Sequence, residues 1–451
     1  MSRVHFIGVG GSGMSAVARL TAAAGHEVSG TDMRVSHYFE ALRDAGMNVT
    51  IGHDAANVDG VDQVVISTAV RETNPELARA RERGIEVVHR SEALARALDH
   101  HRLIAVAGSH GKTTTSAMVA HVLHGAGVDA SFAVGARVFG IDGAVAGGYA
   151  GDSDIAVVEA DESDGSFLRY HPEVAILLNV EPDHLDYYGT EERLHEAFTE
   201  FSSDCRVLVV CADDPTAISI ARTASERGVE VISYGRGDGD VRVSATGWAY
   251  QGEEYTVAVP VPGDHMVLNA AAAWAASVAM GADRQAAARA VESFGGTGRR
   301  YQLRGEVAGI TVVDDYAHHP TEVAALIAAA RSAGAGHLVV LFQPALFSRT
   351  QLHAANFAAA LSAPNADVVI SGVHGDREDP LPGVNSQTIL DQMVIPEDST
   401  AVVVETLEDA AARVADVASE GDLVLTVGSG PVTYAGEWIL DALKAREAGN
   451  G

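Results

Sequence analysis

The chain has 451 residues, 47% of them hydrophobic and 6% aromatic, which is more than one ordinary core holds, so several domains are expected. Its 61 acidic residues outnumber the 31 basic ones, for a formal net charge of −30, and this argues against a nucleic-acid partner, because phosphate binding needs a basic footprint. No apolar run approaches the ~20 residues of a membrane span, and Met1 to Gly13 lacks the layout of a secretory leader, so a cytoplasmic protein without membrane contact is expected.

In chain order, a strand-like run His5 to Val9 leads through glycines into a helix from about Met14 to Ala24, and then into a second strand, Glu27 to Thr31. This is a βαβ opening. Strand-like runs at Gln63 to Ser67 and Ile85 to His89 flank the helix-like Pro75 to Glu82, the alternation of a parallel sheet covered by helices. The pattern pauses at Leu98 to Arg102 and restarts with Leu103 to Ala107, which puts a domain boundary near residue 100. Strands follow at Ile155 to Glu159, Val174 to Val180 and Val207 to Cys211, then a polar-alternating stretch from Val241 to Val261, then helices at about Val267 to Met280 and Arg284 to Ser293. Beyond the glycine-rich hinge Gly295 to Gly298 a third series begins at Ile310 to Asp314 and continues with Leu338 to Phe342, Val368 to Ile370, Val402 to Val404 and Leu423 to Val427. Asp376 to Asn385 reads as a surface loop. The expected domains are therefore 1–99, 100–297 and 298–451. Cys205 and Cys211 are too few for a disulfide framework and match no zinc spacing, so both are expected to be buried, inert thiols.

Two glycine turns carry the chemistry. The first is Gly8-Val9-Gly10-Gly11-Ser12-Gly13, followed by Met14 and Ser15, with Asp32 at the end of the second strand. Bare glycines at a helix N-terminus let the backbone approach a pyrophosphate, and the acidic residue about twenty positions on completes a dinucleotide-type fingerprint. A nucleotide diphosphate is expected there, and a nicotinamide-dependent dehydrogenase is one reading of this turn. The second is Gly108-Ser109-His110-Gly111-Lys112-Thr113-Thr114-Thr115. Its amides suit phosphate oxygens, its lysine the β/γ charge, and a threonine hydroxyl a magnesium ion. The general P-loop pattern has glycine where Val106 stands, yet one of the chain's only two lysines, Lys112 and Lys444, falls in this slot.

The shortened loop is followed, in this order, by Glu159-Ala160-Asp161-Glu162-Ser163-Asp164, by Asn179-Val180-Glu181-Pro182-Asp183-His184, and by Asp314-Asp315-Tyr316-Ala317-His318-His319-Pro320. As a set this resembles the Mur ligases, from the Gly8 turn to Gly428-Ser429-Gly430. The resemblance implies an α/β fold of three domains: an N-terminal Rossmann-like UDP-binding domain, a central P-loop-type ATPase, and a C-terminal Rossmann-like domain. It implies an ATP- and Mg2+-dependent ligase that activates the lactyl carboxylate of UDP-N-acetylmuramate as an acyl phosphate and joins it to a small amino acid, acting as a monomer or weak homo-oligomer. Catalysis of this kind is mostly positioning and charge neutralisation.

Carried over residue by residue, one magnesium falls to Thr113 and Glu159 and a second to His184. ATP falls to Gly108 to Thr114, His265, Asn269, Arg300 and Asp315, and UDP to Gly8, Gly10, Gly11, Gly13, Met14, Ser15 and Asp32. Lys112, Glu159, His184 and Arg300 carry the catalysis, and Tyr316 and Arg349 take the amino acid. Arg300 is expected at the γ-phosphate when the third domain closes, or else in an ion pair at the hinge; Asp315 is expected at the ATP ribose. His265 can equally cap its helix, and His318 and His319 can be purely structural. Several relatives use a carbamylated lysine beside the second metal, which is excluded here because no lysine lies between Lys112 and Lys444; this agrees with the alanine-adding branch. The sequence departs from the family at Met266, where Asn is frequent, at Ala345, where a His is usual, and at Phe347, where the ring usually carries a hydroxyl. Those last two departures leave the choice among alanine, glycine and serine open, and they motivate a further alternative, a non-catalytic UDP-sugar-binding paralogue.

Overall fold

The computed structural model describes residues 1–145, 147–375 and 378–450. It divides into two compact units, one of residues 1–260 and 267–297, the other of residues 261–266 and 298–451. Among the described residues the strands form three sheets of five, ten and six.

The first sheet runs Asn48–Ile51, Glu27–Asp32, Arg3–Ile7, Gln63–Ile66, Glu86–His89, all parallel. Its middle strand is buried from Val4 to Ile7, as a parallel strand covered by helices on both faces must be. Helix Ser12–Ala23 packs Met14, Val17 and Leu20 onto it together with Phe39 and Leu42 of helix His37–Asp44. Asn48–Ile51 has a mixed, largely exposed face, so it carries no apolar run that sequence reading could detect.

The second sheet belongs to the same unit. Its parallel centre is Glu230–Gly235, Val207–Cys211, Val174–Leu177, Arg102–Ala107, Ile155–Glu159, Ser131–Ala133. The polar-alternating stretch becomes Val241–Ser244, Gly247–Tyr250 and Glu253–Thr256, an antiparallel meander on one edge. Val174 to Val180 was expected as one strand, but it ends at Leu177. From there the chain bends over the second glycine turn, where Leu178 donates to the carbonyl of Ala107 and Ser109 donates to that of Asn179. Register pairs Val106 with Glu159 and Ala107 with Leu177. The loops after these three strands therefore leave the sheet at one level, where ligands of parallel sheets bind.

The third sheet, in the second unit, runs Gln302–Val307, Ile310–Asp315, Leu423–Val427, Leu338–Phe342, Ala366–Ser371, Thr400–Val404, parallel except for the first pair. Its core joins Val340, Phe342, Phe357 and Leu425 on one face and Val339, Leu341, Val424 and Ile439 on the other. Asp315, Val427, Phe342 and Ile370 stand in register. Of the expected surface loop, residues 376 and 377 lie outside the described residues, and 378–385 form no helix or strand. Cys211 is buried but Cys205 only partly so; burial nevertheless pushes the Cys205 thiol up to about 12 and raises that of Cys211. No helix among the described residues is long and apolar enough to cross a membrane.

Candidate functional site

The first glycine turn is built around Asp32. Its carboxylate accepts the amide of Gly10 at 2.9 Å, and Ser36 donates to the Gly10 carbonyl at 2.7 Å. A Cβ on Gly10 would come within 3.0 Å of both side chains, which is why the position is bare. Gly8 has φ 81°, and Gly11 precedes helix Ser12–Ala23 with no side chain capping the first amides, so those donors remain available to an anion. Gly13 is bare for another reason: a Cβ there would lie 2.7 Å from an Nη of Arg90. Met14 is buried in the core, and Ser15 is engaged within the turn, its hydroxyl donating to Ser12 O at 2.8 Å and its amide to Gly11 O at 3.0 Å.

In the second turn, Gly108 and Gly111 take φ 139° and 86°, left-handed values that glycine adopts without strain. Asn179 fastens the turn from the facing loop, accepting the His110 amide at 2.8 Å and donating to its carbonyl at 3.0 Å. Ser109 donates to the Glu181 carbonyl at 3.1 Å, and His110 Nε2 is 3.3 Å from the Glu181 carboxylate. Lys112 donates to Gly108 O at 2.7 Å, Ser109 O at 3.2 Å and Glu162 Oε1 at 2.9 Å. Burial works against its charge, but Glu162, with Asp161 and Glu159 behind it, outweighs burial and raises the pKa. Glu162 is 1% exposed, and burial lifts its carboxyl to about 7 in spite of Lys112. The carboxylate thus stands where an anionic phosphate would compete for the same ammonium.

Thr113 Oγ1 donates to Glu159 Oε1 at 2.7 Å, and the other Glu159 oxygen accepts the Gly135 amide at 2.7 Å. His184 has φ 55°, a left-handed strain in a non-glycine residue of the kind that collects at functional sites. Its Nε2 lies 3.5 Å from Asp183 and 3.9 Å from Glu162. Asn269 lies against the second turn, since a Cβ on Gly111 would be 3.5 Å from its Oδ1. Thr114 is buried beneath the turn.

In the second unit, buried Asp315 accepts the amides of Tyr301 at 2.7 Å and Ala317 at 2.8 Å, while burial lifts its carboxyl to about 6. The Arg300 guanidinium lies 5.2 Å from the Tyr316 ring centroid and 3.8 Å from Glu322. His265 is desolvated, which lowers its pKa, with Arg300 acting in the same sense. His318 is held neutral, at about 4, by burial, with Nδ1 at 3.1 Å from the Tyr316 carbonyl. The Glu322 carboxylate accepts the amides of His318 at 3.0 Å and His319 at 3.4 Å at the start of helix Pro320–Ser332. Arg349 sits in the first turn of helix Phe347–Leu361 and is one of the cations that depress His318.

Sequence reading left three charged side chains without a role. Glu162 was part of a recognised run. Arg90 stands directly after a strand that was legible, faces Gly13, and reaches Asp161 at 3.3 Å. Arg299 adjoins Arg300, and its contacts depend on a turn 129 residues away, which no local pattern reveals.

Three family models match the chain: the Mur ligase family catalytic domain over residues 3–102, the Mur ligase middle domain over 106–277, and the Mur ligase glutamate ligase domain over 299–430. The UDP-N-acetylmuramate–L-alanine ligase of Renibacterium salmoninarum is 46% identical, with 100% of this chain and 98% of that protein covered. The enzyme of the same name from Paenarthrobacter aurescens is 47% identical over 98% and 97%. Among solved structures, the UDP-N-acetylmuramate-alanine ligase of Thermotoga maritima superposes with TM-score 0.83 at 28% identity, over 99% of this chain and all of that one. The murein peptide ligase of Psychrobacter arcticus gives 0.71 at 25%, over 98% and 99%. With all three family models matched in order and two relatives covering nearly its whole length, the chain belongs to the Mur ligase family.

Proposed function

We infer that the chain is an ADP-forming carbon–nitrogen ligase that joins L-alanine to the lactyl carboxylate of UDP-N-acetylmuramate in peptidoglycan precursor synthesis. The observation that carries this reading is the buried Lys112–Glu162 pair inside a glycine turn, with Thr113 on Glu159 beside it: a built phosphate site in a chain with almost no other lysine. ATP supplies the phosphoryl group and Mg2+ the charge neutralisation for transfer. A hydroxyl and a carboxylate, Thr113 and Glu159, are donors of the hard kind that magnesium takes, and His184 is proposed at a second ion.

The chain's own groups then divide the work. Lys112 exchanges Glu162 for the β/γ-phosphates and stabilises the charge that builds during transfer to the lactyl oxygen. Gly108, Ser109, His110, Gly111 and Thr114 fix the phosphates, and His265, Asn269, Arg300 and Asp315 are proposed for the rest of ATP, Arg300 at the γ-phosphate. Gly8, Gly10, Gly11, Gly13, Met14, Ser15 and Asp32 are proposed for UDP, the amides at the start of helix Ser12–Ala23 facing the diphosphate and Asp32 shaping the turn through the Gly10 amide. Arg349 clamps the amino-acid carboxylate, Tyr316 lies alongside, and the amine displaces phosphate from the acyl phosphate. We propose domains of 1–99, 100–297 and 298–451, a cytoplasmic location, and a monomer or weak homo-oligomer. The test is phosphate release from ATP with UDP-N-acetylmuramate and each of alanine, glycine and serine. Release that needs both sugar and amino acid is expected; release that ignores either one overturns the ligase reading.

A further inference from the structure

Arg299 ties together three parts of the third sheet's C-terminal edge. Its Nη2 donates to the carbonyls of Gly428 at 2.6 Å and Gly430 at 3.1 Å, and its Nη1 to that of Ser429 at 3.2 Å. These are three successive carbonyls of the turn that leads strand Leu423–Val427 into helix Val432–Asn450. Its Nε lies 3.5 Å from Asp314, a fully buried carboxylate that also accepts the hydroxyls of Thr426 and Thr433 at 2.7 Å each. The guanidinium stands 4.7 Å from the Tyr316 ring centroid, and the Arg299 carbonyl accepts the Tyr316 amide at 2.8 Å.

The backbone is strained to achieve this. Arg299 and Tyr301 have φ 60° and 46°, where glycine would be the cheaper residue. A long side chain retained at such a position has its use in the contacts it makes.

Leu423–Val427 lies between Ile310–Asp315 and Leu338–Phe342, so its turn separates Tyr316 from the segment Ala345 to Arg349. On the far side the turn has no slack. A Cβ on Gly428 would be 2.7 Å from the Gln343 carbonyl, and one on Gly430 would be 2.7 Å from Gln343 Oε1 and 2.8 Å from the His374 ring. Gln343, directly after strand Leu338–Phe342, thus abuts the turn on one side while Arg299 holds its carbonyls on the other.

We propose that Arg299 is a positioning residue for the amino-acid half of the reaction, setting the distance between Tyr316 and Arg349 through the Gly428–Gly430 turn, while its neighbour Arg300 serves ATP. This rests on the ligase reading above. A guanidinium is required because only a planar fork with several donors reaches three carbonyls and a carboxylate at once.

The test uses the full-length protein with Arg299→Gly, which relieves the left-handed strain and leaves space for a free guanidinium ion, and with Arg299→Gly combined with Asp314→Asn, which avoids a buried unpaired carboxylate. The expected result in either variant is a KM for alanine raised roughly ten- to hundredfold with the KM for ATP within about twofold of the unmodified protein. In Arg299→Gly, guanidinium at non-denaturing concentration lowers the alanine KM again and ammonium does not. A merely structural arginine would shift both KM values together or neither, and either result overturns the proposal, as does failure of guanidinium to act in a folded variant. Loss of alanine dependence in the unmodified protein would instead remove the ligase reading on which the proposal stands.

Discussion

Glu76 offers a quantitative test of the UDP-side domain. It is fully buried, and its Oε2 accepts Thr31 Oγ1 at 2.7 Å and meets His53 Nδ1 at 2.9 Å. Its Oε1 accepts Asn57 Nδ2 at 2.7 Å and lies 3.6 Å from His5 Nε2. Burial alone raises the carboxyl pKa, but the nearby His5 ring together with the hydrogen bonds from Asn57 and Thr31 outweighs it and brings the value from 4.5 to about 2. At 1.36 kcal/mol per unit, that difference corresponds to about 3 kcal/mol of stability. The folded pKa is the depressed one, so this stability is present above pH 4.5 and is lost as the pH falls towards 2. Glu76→Gln keeps the shape and removes the charge. Hydrogen exchange should read the effect locally, because a multidomain chain has no single unfolding free energy. Amides of strands Arg3–Ile7 and Glu27–Asp32 should lose roughly a hundredfold of protection at neutral pH, and the gap to the unmodified protein should narrow below pH 4.5. Since Thr31 precedes Asp32, which holds the Gly10 amide, UDP-sugar affinity should fall as well. A gap of the same size at pH 3, or none at pH 7, would refute the reasoning.

Lys112→Ala should lower kcat by at least about a hundredfold and leave the fold intact, because Glu162, already lifted to about 7, can take up a proton when its partner goes; steady-state turnover comparable to the unmodified protein would sink the phosphate assignment. Glu159→Ala and His184→Ala should each be slow, and raising Mg2+ should partly restore at least one; if a Mg2+ titration moves neither, the proposed metal positions are wrong. Alanine, glycine and serine should all be used within about two orders of magnitude, since pocket size alone discriminates by ~1–3 kcal/mol per methylene, and Ala345→His should sharpen the preference or speed alanine. Much stricter selection in competition assays, or a variant slower with every amino acid, would mean that another group already fills that space.

The long apolar runs were legible because parallel strands covered on both faces are continuous in sequence: Ile155–Glu159, Val207–Cys211, Leu338–Phe342 and Leu423–Val427 begin and end where expected. Two of the edge strands were not. Asn48–Ile51 and Gln302–Val307 expose much of both faces, so periodicity carries little signal there, and Ser131–Ala133 is too short to show one. Helix Leu185–Tyr188 is a single turn, too short to carry a helical period. The same contrast holds at the site. Lys112 stands in a contiguous motif legible in sequence, whereas the contact of Glu162 with it becomes visible only when the register brings strand Ile155–Glu159 beside Arg102–Ala107. Arg90 and Arg299 act on residues 71 and 129 to 131 positions away, a relation that exists only in the fold.

The departure at Ala345 can be placed physically. Ala345 is 5% exposed and pairs as an isolated bridge with His374, whose amide donates to the Pro344 carbonyl at 2.8 Å and whose carbonyl accepts the Leu346 amide at 2.9 Å. The position is thus fixed by backbone pairing before its side chain matters, and a small residue there leaves the His374 ring as the aromatic group against Gly430. Phe347 likewise keeps its ring, packed on Gly375, while Ser348 is tied to Glu378 through its amide at 2.9 Å and its hydroxyl. That carboxylate holds the first turn of helix Phe347–Leu361, and with it the backbone of Arg349, without any of the polar groups that the segment itself lacks. The carboxylate role proposed for Arg349 is therefore compatible with Ala345 and Phe347 as they stand.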